Sequence, residues 1–493
     1  MGKKGVAALA GAVGAVSVAI GWKASRRRSS TGSQETSSTA QPLVYEDIDA
    51  ERFVDALSEA IRIQTVILDD GTYDAGAFEE QWEMLERRYP LAHATLDREV
   101  FNDHALLYTW QGSDPLLRPI VLMAHQDVVP VEAGTERDWV KPPFEGAVVD
   151  GRIYGRGALD CKGPLIAVFE AIEYLLERDA APERTVYLVS GNDEEVGGNG
   201  AGLIASTLAK RGVEPWFVID EGGAIADGVL PGLEVPVALV GIAEKGFMNI
   251  KLTAHGDGGH SSLPPRDTAI ARLAKAISAI ESRPVPARID AITPMLSALS
   301  ERLPGVLGTL ASQPTAAASL LSRVFAKDAR MDALQRSTTV PTIIEGGVKA
   351  NVVPQTASVI INVRMIPGDT SRSVADHIGR IVGEDIDVEI MTGFLKEASQ
   401  FSSVDSDAWG VVTGVIGEVF PDAITAPWVL TGATDSRFFE SIAGDVYRFS
   451  PFVLDDDAMG GFHGTNEHVR ADAAPSAVSF FVRLIAKAAD TGD

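Results

Sequence analysis

The chain has 493 residues, 45% of them apolar and 23% charged, and a formal net charge of -25. This length exceeds one ordinary hydrophobic core and predicts two or three domains. The acidic surface would repel phosphate backbones, so we expect no nucleic acid partner. Cys161 is the only cysteine, so any metal must bind through His and carboxylate side chains rather than through several thiolates.

The first 44 residues differ from the rest of the chain. Residues 5–22 form an uncharged run rich in Gly and Ala, with basic residues on both sides. The run is near the lower length limit for a bilayer-spanning helix, and its flanking charges leave the orientation undecided. Residues 29–42 have the composition of a disordered linker. We interpret residues 5–22 as a membrane anchor on an otherwise soluble protein, with a cleaved signal peptide as the alternative.

Predicted helices and strands alternate from residue 45 onward. The recurring unit is an apolar strand, then an acidic or Gly-rich loop, then a helix. This pattern predicts an α/β domain with a mixed sheet flanked by helices. The elements are helices 48–63, 78–89 and 165–176 and strands 106–110, 120–124, 185–190 and 216–219.

The pattern changes near Gly246. Alternating strands and two helices there predict a smaller α+β domain, and residues 287–335 are mostly helical and apolar. After about residue 400 the α/β character returns and ends in a helix at 474–489. The smaller domain would therefore be inserted into the first. The predicted divisions are 1–44 (segment and linker), 45–246 and 399–493 (catalytic domain), and 247–398 (lid or dimerisation domain).

Ionisable residues follow several of the predicted strands. His125 and Asp127 lie two residues apart, so their side chains share one side of a strand end and the carboxylate can orient the imidazole. Other acidic residues follow predicted strands, and one histidine occurs late in the chain. They are Asp160, Glu194, Glu195, Asp220 and His463. Carboxylates packed this closely would repel each other, and a pair of divalent ions would remove the conflict. Imidazole with carboxylates suits zinc.

The adjacent residues Glu194 and Glu195 could have two different roles in catalysis. One can bind a metal while its neighbour takes a proton from water. Two plainer interpretations remain open at this point: a His–Asp pair that only closes a strand, and a solvated Glu–Glu turn.

Five motifs in order resemble the dinuclear zinc aminoacylase/carboxypeptidase family. They are His125-x-Asp127, GRGALDCKG at 155–163, NDEEVGG at 192–198, the pair Asp220–Glu221 and HGTNE at 463–467. The chain is most similar to the carboxypeptidase S branch, which includes N-fatty-acyl-amino-acid synthase/hydrolases. That branch carries a long apolar helical segment in its lid, as residues 287–335 do here.

The resemblance implies two Zn²⁺ ions per chain and a role for each motif residue. His125 and Asp220 would ligate one ion, Glu195 and His463 the other, and Asp160 would bridge them. The resemblance also implies that Asp127 orients His125 and that Glu194 is the general base.

Substrate-binding residues are implied in the predicted lid. His260 would hold the scissile carbonyl oxygen, often across a dimer interface, and Asn351 and Arg364 would bind a substrate carboxylate. The loop 432–437, GATDSR, matches another substrate-side loop. The plainer alternatives are a solvated turn for His260 and an ordinary salt bridge for Arg364. Cys161 is interpreted as a packing residue.

These assignments predict a zinc-dependent hydrolase that cleaves amide bonds of N-acyl amino acids or C-terminal peptide bonds. A carboxylate clamp at Arg364 favours substrates with a free carboxylate. The alternatives are a dipeptidase or carboxypeptidase acting on ordinary peptides, and a non-catalytic membrane-tethered scaffold. A homodimer through the lid is expected by analogy with the family.

Overall fold

The computed structural model describes residues 41–68, 70–228 and 233–490. They form two compact units. The smaller comprises residues 243–401 and 429–433, and the larger comprises the described residues up to 242 together with 402–428 and 434–490. The predicted anchor at 5–22 lies outside the described residues, among which no helix has the length and apolar character needed to cross a membrane.

The helices are short to medium in length and occur in both units. They are α1 Ala50–Arg62, α2 Ala75–Arg88, α3 Pro90–Thr95, α4 Lys162–Leu176, α5 Asn199–Lys210, α6 Ala269–Ser282, α7 Thr293–Leu299, α8 Gly305–Ala311, α9 Ala318–Phe325, α10 Ala329–Leu334, α11 Ser371–Val382, α12 Asp407–Val419, α13 Asp456–Gly461 and α14 Ala474–Ala489.

The strands alternate with these helices along the chain. They are β1 Asp97–Phe101, β2 Ala105–Trp110, β3 Ile120–Met123, β4 Ala147–Val149, β5 Arg152–Tyr154, β6 Val186–Ser190, β7 Phe217–Asp220, β8 Ala224–Ala226, β9 Val237–Glu244, β10 Gly246–His255, β11 Gly259–His260, β12 Thr338–Gly346, β13 Val352–Val353, β14 Thr356–Met365, β15 Ile386–Lys396, β16 Ile424–Leu430, β17 Asp445–Arg448, β18 Val453–Leu454 and β19 His468–Arg470.

A mixed sheet forms the centre of the larger unit, with the order β1-β2-β6-β3-β7-β17-β9-β8-β18. β3 runs parallel to both β6 and β7. Its side chains alternate between two cores: Ile120 and Leu122 pack with α4 and α14, whereas Val121 and Met123 pack with α5. A strand covered on both faces must be apolar throughout. The predicted α/β class with a flanked mixed sheet is confirmed.

The smaller unit is built on an antiparallel sheet with the order β12-β14-β10-β15. Alternate residues of β10, such as Ile250 and Leu252, are buried against Leu273 of α6 and Ile378 of α11. The apolar segment 287–335 forms α7 to α10, and its large apolar side chains are mostly buried. Much of that apolar character therefore serves packing.

Candidate metal centre and active site

Three neighbouring strands of the larger unit end at the predicted ionisable groups. β3 lies between β6 and β7 and is parallel to both. The carboxyl ends of parallel strands meet at one edge of a sheet, where α/β proteins bind their ligands. The groups found there are His125 and Asp127 after β3, Glu194 and Glu195 after β6, and Asp220 at the end of β7.

His125 is buried and has a partner at each ring nitrogen. Its Nδ1 lies 3.0 Å from the backbone oxygen of Asp127 and 3.4 Å from Oδ1 of the same residue. Its Nε2 lies 2.9 Å from Oδ1 of Asp160. The other carboxylate oxygen of Asp127 accepts a hydrogen bond from the backbone N–H of Glu195 at 3.1 Å. Asp127 therefore contacts both the imidazole ring and the acidic turn, and such a carboxylate can fix the tautomer of a metal-binding histidine.

Asp160 belongs to two clusters of groups suited to hold a metal ion. One cluster is His125, Asp160 and Glu221, and the other is Asp160, Glu195 and His463; in each, the ligand atoms lie within 4.8 Å of one another. Nε2 of His463 is 2.8 Å from Oδ2 of Asp160 and 3.4 Å from Oε1 of Glu195. The two carboxylate oxygens of Asp160 thus face different histidines.

Glu221, rather than the predicted Asp220, joins His125 and Asp160 in the first cluster. Asp220 is the last residue of β7, and its carboxylate accepts hydrogen bonds from the backbone N–H groups of Glu221 at 2.9 Å and Ser436 at 2.8 Å. Glu221 stands just beyond the strand, and its longer side chain reaches the cluster. Glu221 is therefore a second candidate for this ligand position, and the role assigned to Asp220 from the sequence stays a prediction.

Burial dominates the electrostatics of the acidic groups. It raises the pKa of Glu194 and Glu221 well above the ordinary value, and it also raises the pKa of Glu195. Burial acts in the same direction on Asp160, but hydrogen bonds from two histidines hold the pKa of that carboxyl well below its usual range. Hydrogen bonds to Asp160 and Glu195 raise the pKa of His463 to about 10. A nearby cation would favour the ionised form of every carboxyl in this group.

The donor set fits a pair of divalent ions. Each cluster supplies one imidazole and two carboxylates, and Asp160 is common to both. Mixed nitrogen and oxygen ligands suit Zn²⁺ and related transition metals, whereas all-oxygen sets suit Mg²⁺ or Ca²⁺. The positive charge of the ions would also offset the repulsion among the buried carboxylates.

The sequence profile of Peptidase family M20/M25/M40 matches residues 121–487, a range that contains every member of the two clusters. The chain belongs to this peptidase family. This M20 peptidase is accordingly an enzyme of the metal-dependent hydrolase class, and the family predicted from the sequence motifs is confirmed.

Relatives of this M20 peptidase match it along most of its length. N-fatty-acyl-amino acid synthase/hydrolase PM20D1 of Homo sapiens is 36% identical over 442 residues, which cover 88% of this chain and 87% of the relative. Carboxypeptidase S of Saccharomyces cerevisiae is 32% identical over 487 residues, covering 88% and 83%. The M20 family metallo-carboxypeptidase Sso-CP2 from Sulfolobus solfataricus has the same fold, with a TM-score of 0.64 at 18% identity, covering 88% of this chain and 98% of that one. The predicted carboxypeptidase S branch is confirmed.

The three predicted substrate-binding residues lie in the smaller unit of this M20 peptidase. His260 is exposed on β11, which pairs with β13. Asn351 is exposed just before β13, and its backbone oxygen accepts a hydrogen bond from the N–H of Ser261 at 3.1 Å. Arg364 is half-buried on β14, with its guanidinium 4.8 Å from the ring centre of Phe247. Their roles toward substrate stay predictions.

Two residues of the loop 432–437 were not singled out from the sequence. Arg437 has its Nη1 3.6 Å from Oε1 of Glu194, and its Nη2 donates a hydrogen bond to the backbone oxygen of Gly197 at 2.8 Å. Both carboxylate oxygens of Asp435 are buried without a hydrogen-bond partner among the described residues, and burial raises its pKa to about 8. The GATDSR motif indicated the loop, but only the fold shows that Arg437 approaches Glu194.

Proposed function

We propose that this M20 peptidase hydrolyses the amide bond of N-acyl amino acids that carry a free carboxylate, with two Zn²⁺ ions per chain. The observation that carries the proposal is the position of Asp160, whose two oxygens face the histidines of two separate clusters. A carboxylate shared by two ligand clusters would suit a hydrolase that uses two metal ions.

The proposed ligands follow the two clusters. His125 and Glu221 would hold one ion, and Glu195 and His463 would hold the other. Asp160 would contribute to both sites. Bound there, the ions would polarise the substrate carbonyl and lower the pKa of a water molecule between them.

Glu194 is the proposed general base. It lies next to Glu195 in the chain but belongs to neither cluster, and Arg437 is its cationic neighbour at 3.6 Å. Glu194 takes the proton of the attacking water and then delivers it to the leaving nitrogen. Asp127 keeps the His125 ring in place throughout.

The substrate side of the proposal rests on the smaller unit. Burial lowers the pKa of Arg364, and its guanidinium lies 4.8 Å from the ring centre of Phe247. In our proposal this guanidinium pairs with the substrate carboxylate. Asn351 would share the carboxylate, and His260 would stabilise the developing oxyanion. The name of the human relative, N-fatty-acyl-amino acid synthase/hydrolase, supports N-acyl amino acids as the substrates of this chain. The name of the yeast relative, carboxypeptidase S, supports peptides as the second candidate.

The two candidates differ in the substrate that is turned over faster. We would compare N-oleoyl-phenylalanine with alanyl-phenylalanine, and use N-oleoyl-phenylalanine amide as the matched control without a carboxylate. Our proposal predicts a kcat/KM at least about tenfold higher for the acyl substrate and a loss of about 1.5–3 kcal/mol of binding with the amide, the range for hydrogen bonds to charged groups. Faster cleavage of the dipeptide would favour the peptidase.

Two further parts of the proposal concern assembly. A homodimer through the smaller unit is supported by the exposed apolar side chains of its edge strand β12, Val340, Ile343 and Ile344. Membrane attachment through residues 5–22 is supported by their uncharged composition alone.

A further inference from the structure

A buried ion pair joins the two loops that carry Asp160 and His463. The side chains of Arg156 and Glu467 are 3% and 1% exposed, and Nη1 of the arginine lies 2.6 Å from Oε2 of the glutamate. Neither residue belongs to a candidate metal cluster. Their segments run side by side because β19 pairs antiparallel with β5.

Glu467 holds the backbone that leads to Asp160. Its Oε2 accepts a hydrogen bond from the N–H of Gly157 at 3.0 Å in addition to the one from Arg156. Its Oε1 accepts hydrogen bonds from the N–H groups of Leu159 at 2.9 Å and Asp160 at 3.1 Å. Both carboxylate oxygens of Glu467 thus accept hydrogen bonds from a single loop. These bonds fix the backbone position of Asp160, whose carboxylate is common to both clusters.

Arg156 holds the other loop. Its Nη2 donates hydrogen bonds to the backbone oxygens of His463 at 3.3 Å and Gly464 at 3.1 Å. His463 has a φ of 53°, in the left-handed region that non-glycine residues seldom adopt. A loop with such a residue keeps its conformation only when its surroundings hold it, and the guanidinium supplies two of the contacts that do so.

We propose that the Arg156–Glu467 pair is a positioning device that sets the spacing between Asp160 and His463, and thereby the affinity of the cluster Asp160–Glu195–His463 for a divalent ion. The inference rests on the proposed metal-dependent function. Outer partners that orient metal ligands typically change metal affinity by about 10–100-fold when they are removed. The competing explanation is that the pair only stabilises the fold.

The test is zinc titration of the metal-free full-length protein by calorimetry, with Co²⁺ absorption spectra as a second readout of ligand geometry. The variants are Glu467→Gln and Arg156→Lys, which keeps the charge but removes the forked donor. Glu170→Gln is the matched control, because Glu170 is equally buried and accepts hydrogen bonds from Arg52 at 2.5 Å and Tyr89 at 2.9 Å, away from both clusters.

We expect one of the two zinc dissociation constants to rise about 10–100-fold in Glu467→Gln and Arg156→Lys, with an altered Co²⁺ spectrum, while Glu170→Gln lowers only the melting temperature. Unchanged affinity in both variants, or an equal loss in the control, would overturn the positioning role. If Glu467→Gln does not fold, Arg156→Lys decides by the same criterion. A wild-type protein that binds no zinc would contradict the proposed function, whereas tight zinc binding by wild type and variants alike contradicts this inference only.

Discussion

Glu194 and Glu221 are both half-buried carboxyl groups just beyond strand ends, yet they have different surroundings. Glu221 lies with His125 and Asp160 in a candidate metal cluster. Glu194 lies outside both clusters and faces the guanidinium of Arg437 at 3.6 Å. The same side-chain type can therefore serve as a ligand in one place and as a proton acceptor in the other, because only the neighbouring groups differ.

Substitution by glutamine should separate these two roles. Glu194→Gln should keep about two metal ions per chain and lose about 10²–10⁴-fold in kcat, because it removes only the general base. Glu221→Gln should lose roughly one ion per chain, because it removes a ligand. Metal content by mass spectrometry and kcat on N-oleoyl-phenylalanine check both. Normal turnover in Glu194→Gln would refute the base, and a full metal content in Glu221→Gln would return the ligand role to Asp220.

At this scale the sequence motifs contain all of the clustered residues, and they assigned the ligand role to Asp220 where the fold adds Glu221 as a candidate. The spacing of His125 and Asp127 was sufficient to predict that their side chains lie together, because alternation along a strand puts both on one side. The family resemblance assigned the ligand role to Asp220. Whether Asp220 or Glu221 fills that role depends on where β7 ends and on the N–H of Ser436, which lies 216 positions away in sequence. Long-range contacts of this kind leave no local pattern.

The edge strand β12 exposes several apolar side chains. Its side chains Val340, Ile343 and Ile344 are 52%, 53% and 66% exposed, although it borders a sheet of four strands. Exposed apolar side chains on an edge strand favour pairing with another chain, although β12 also carries Pro341 and Glu345, residue types that limit such pairing. We therefore place the proposed dimer contact on this strand.

Ile344→Lys should convert the proposed dimer into a monomer with the mass of one chain, 52.3 kDa, because it replaces the most exposed apolar side chain of the strand by a charged one. Light scattering coupled to size-exclusion chromatography measures the mass. The matched control is Leu116→Lys in the larger unit, where the apolar side chain is 90% exposed. A monomeric wild type, or an unchanged mass in Ile344→Lys, would count against the assignment.

Strongly apolar or strictly alternating elements were predictable, whereas two helices with several glycines were not. β3 and β10 follow directly from their apolar and alternating patterns. Helices α5 and α12 were not predicted, because glycines such as Gly202, Gly410 and Gly414 are poor helix formers and weaken the local signal. These helices form because their apolar faces pack on the sheet, which only the tertiary structure shows.

At the scale of the whole chain, the candidate site combines residues from distant parts of the sequence. His463 comes from the segment after residue 434, whereas its partners Asp160 and Glu195 precede residue 242, and all lie in the larger unit. The return to α/β character after about residue 400 was the sequence signal for this arrangement. Motif order identified the family, but the pairing of β19 with β5 that brings His463 back had no counterpart in composition or periodicity.

The most direct measurement is the metal content and activity of protein lacking residues 1–42, before and after chelation. The two clusters that share Asp160 predict about two zinc ions per chain and the release of free amino acid from an N-acyl amino acid. Chelation should abolish that activity, and added zinc should restore it. A folded protein that binds no metal and releases no amino acid would contradict the dinuclear hydrolase, and would leave the tethered scaffold as the alternative.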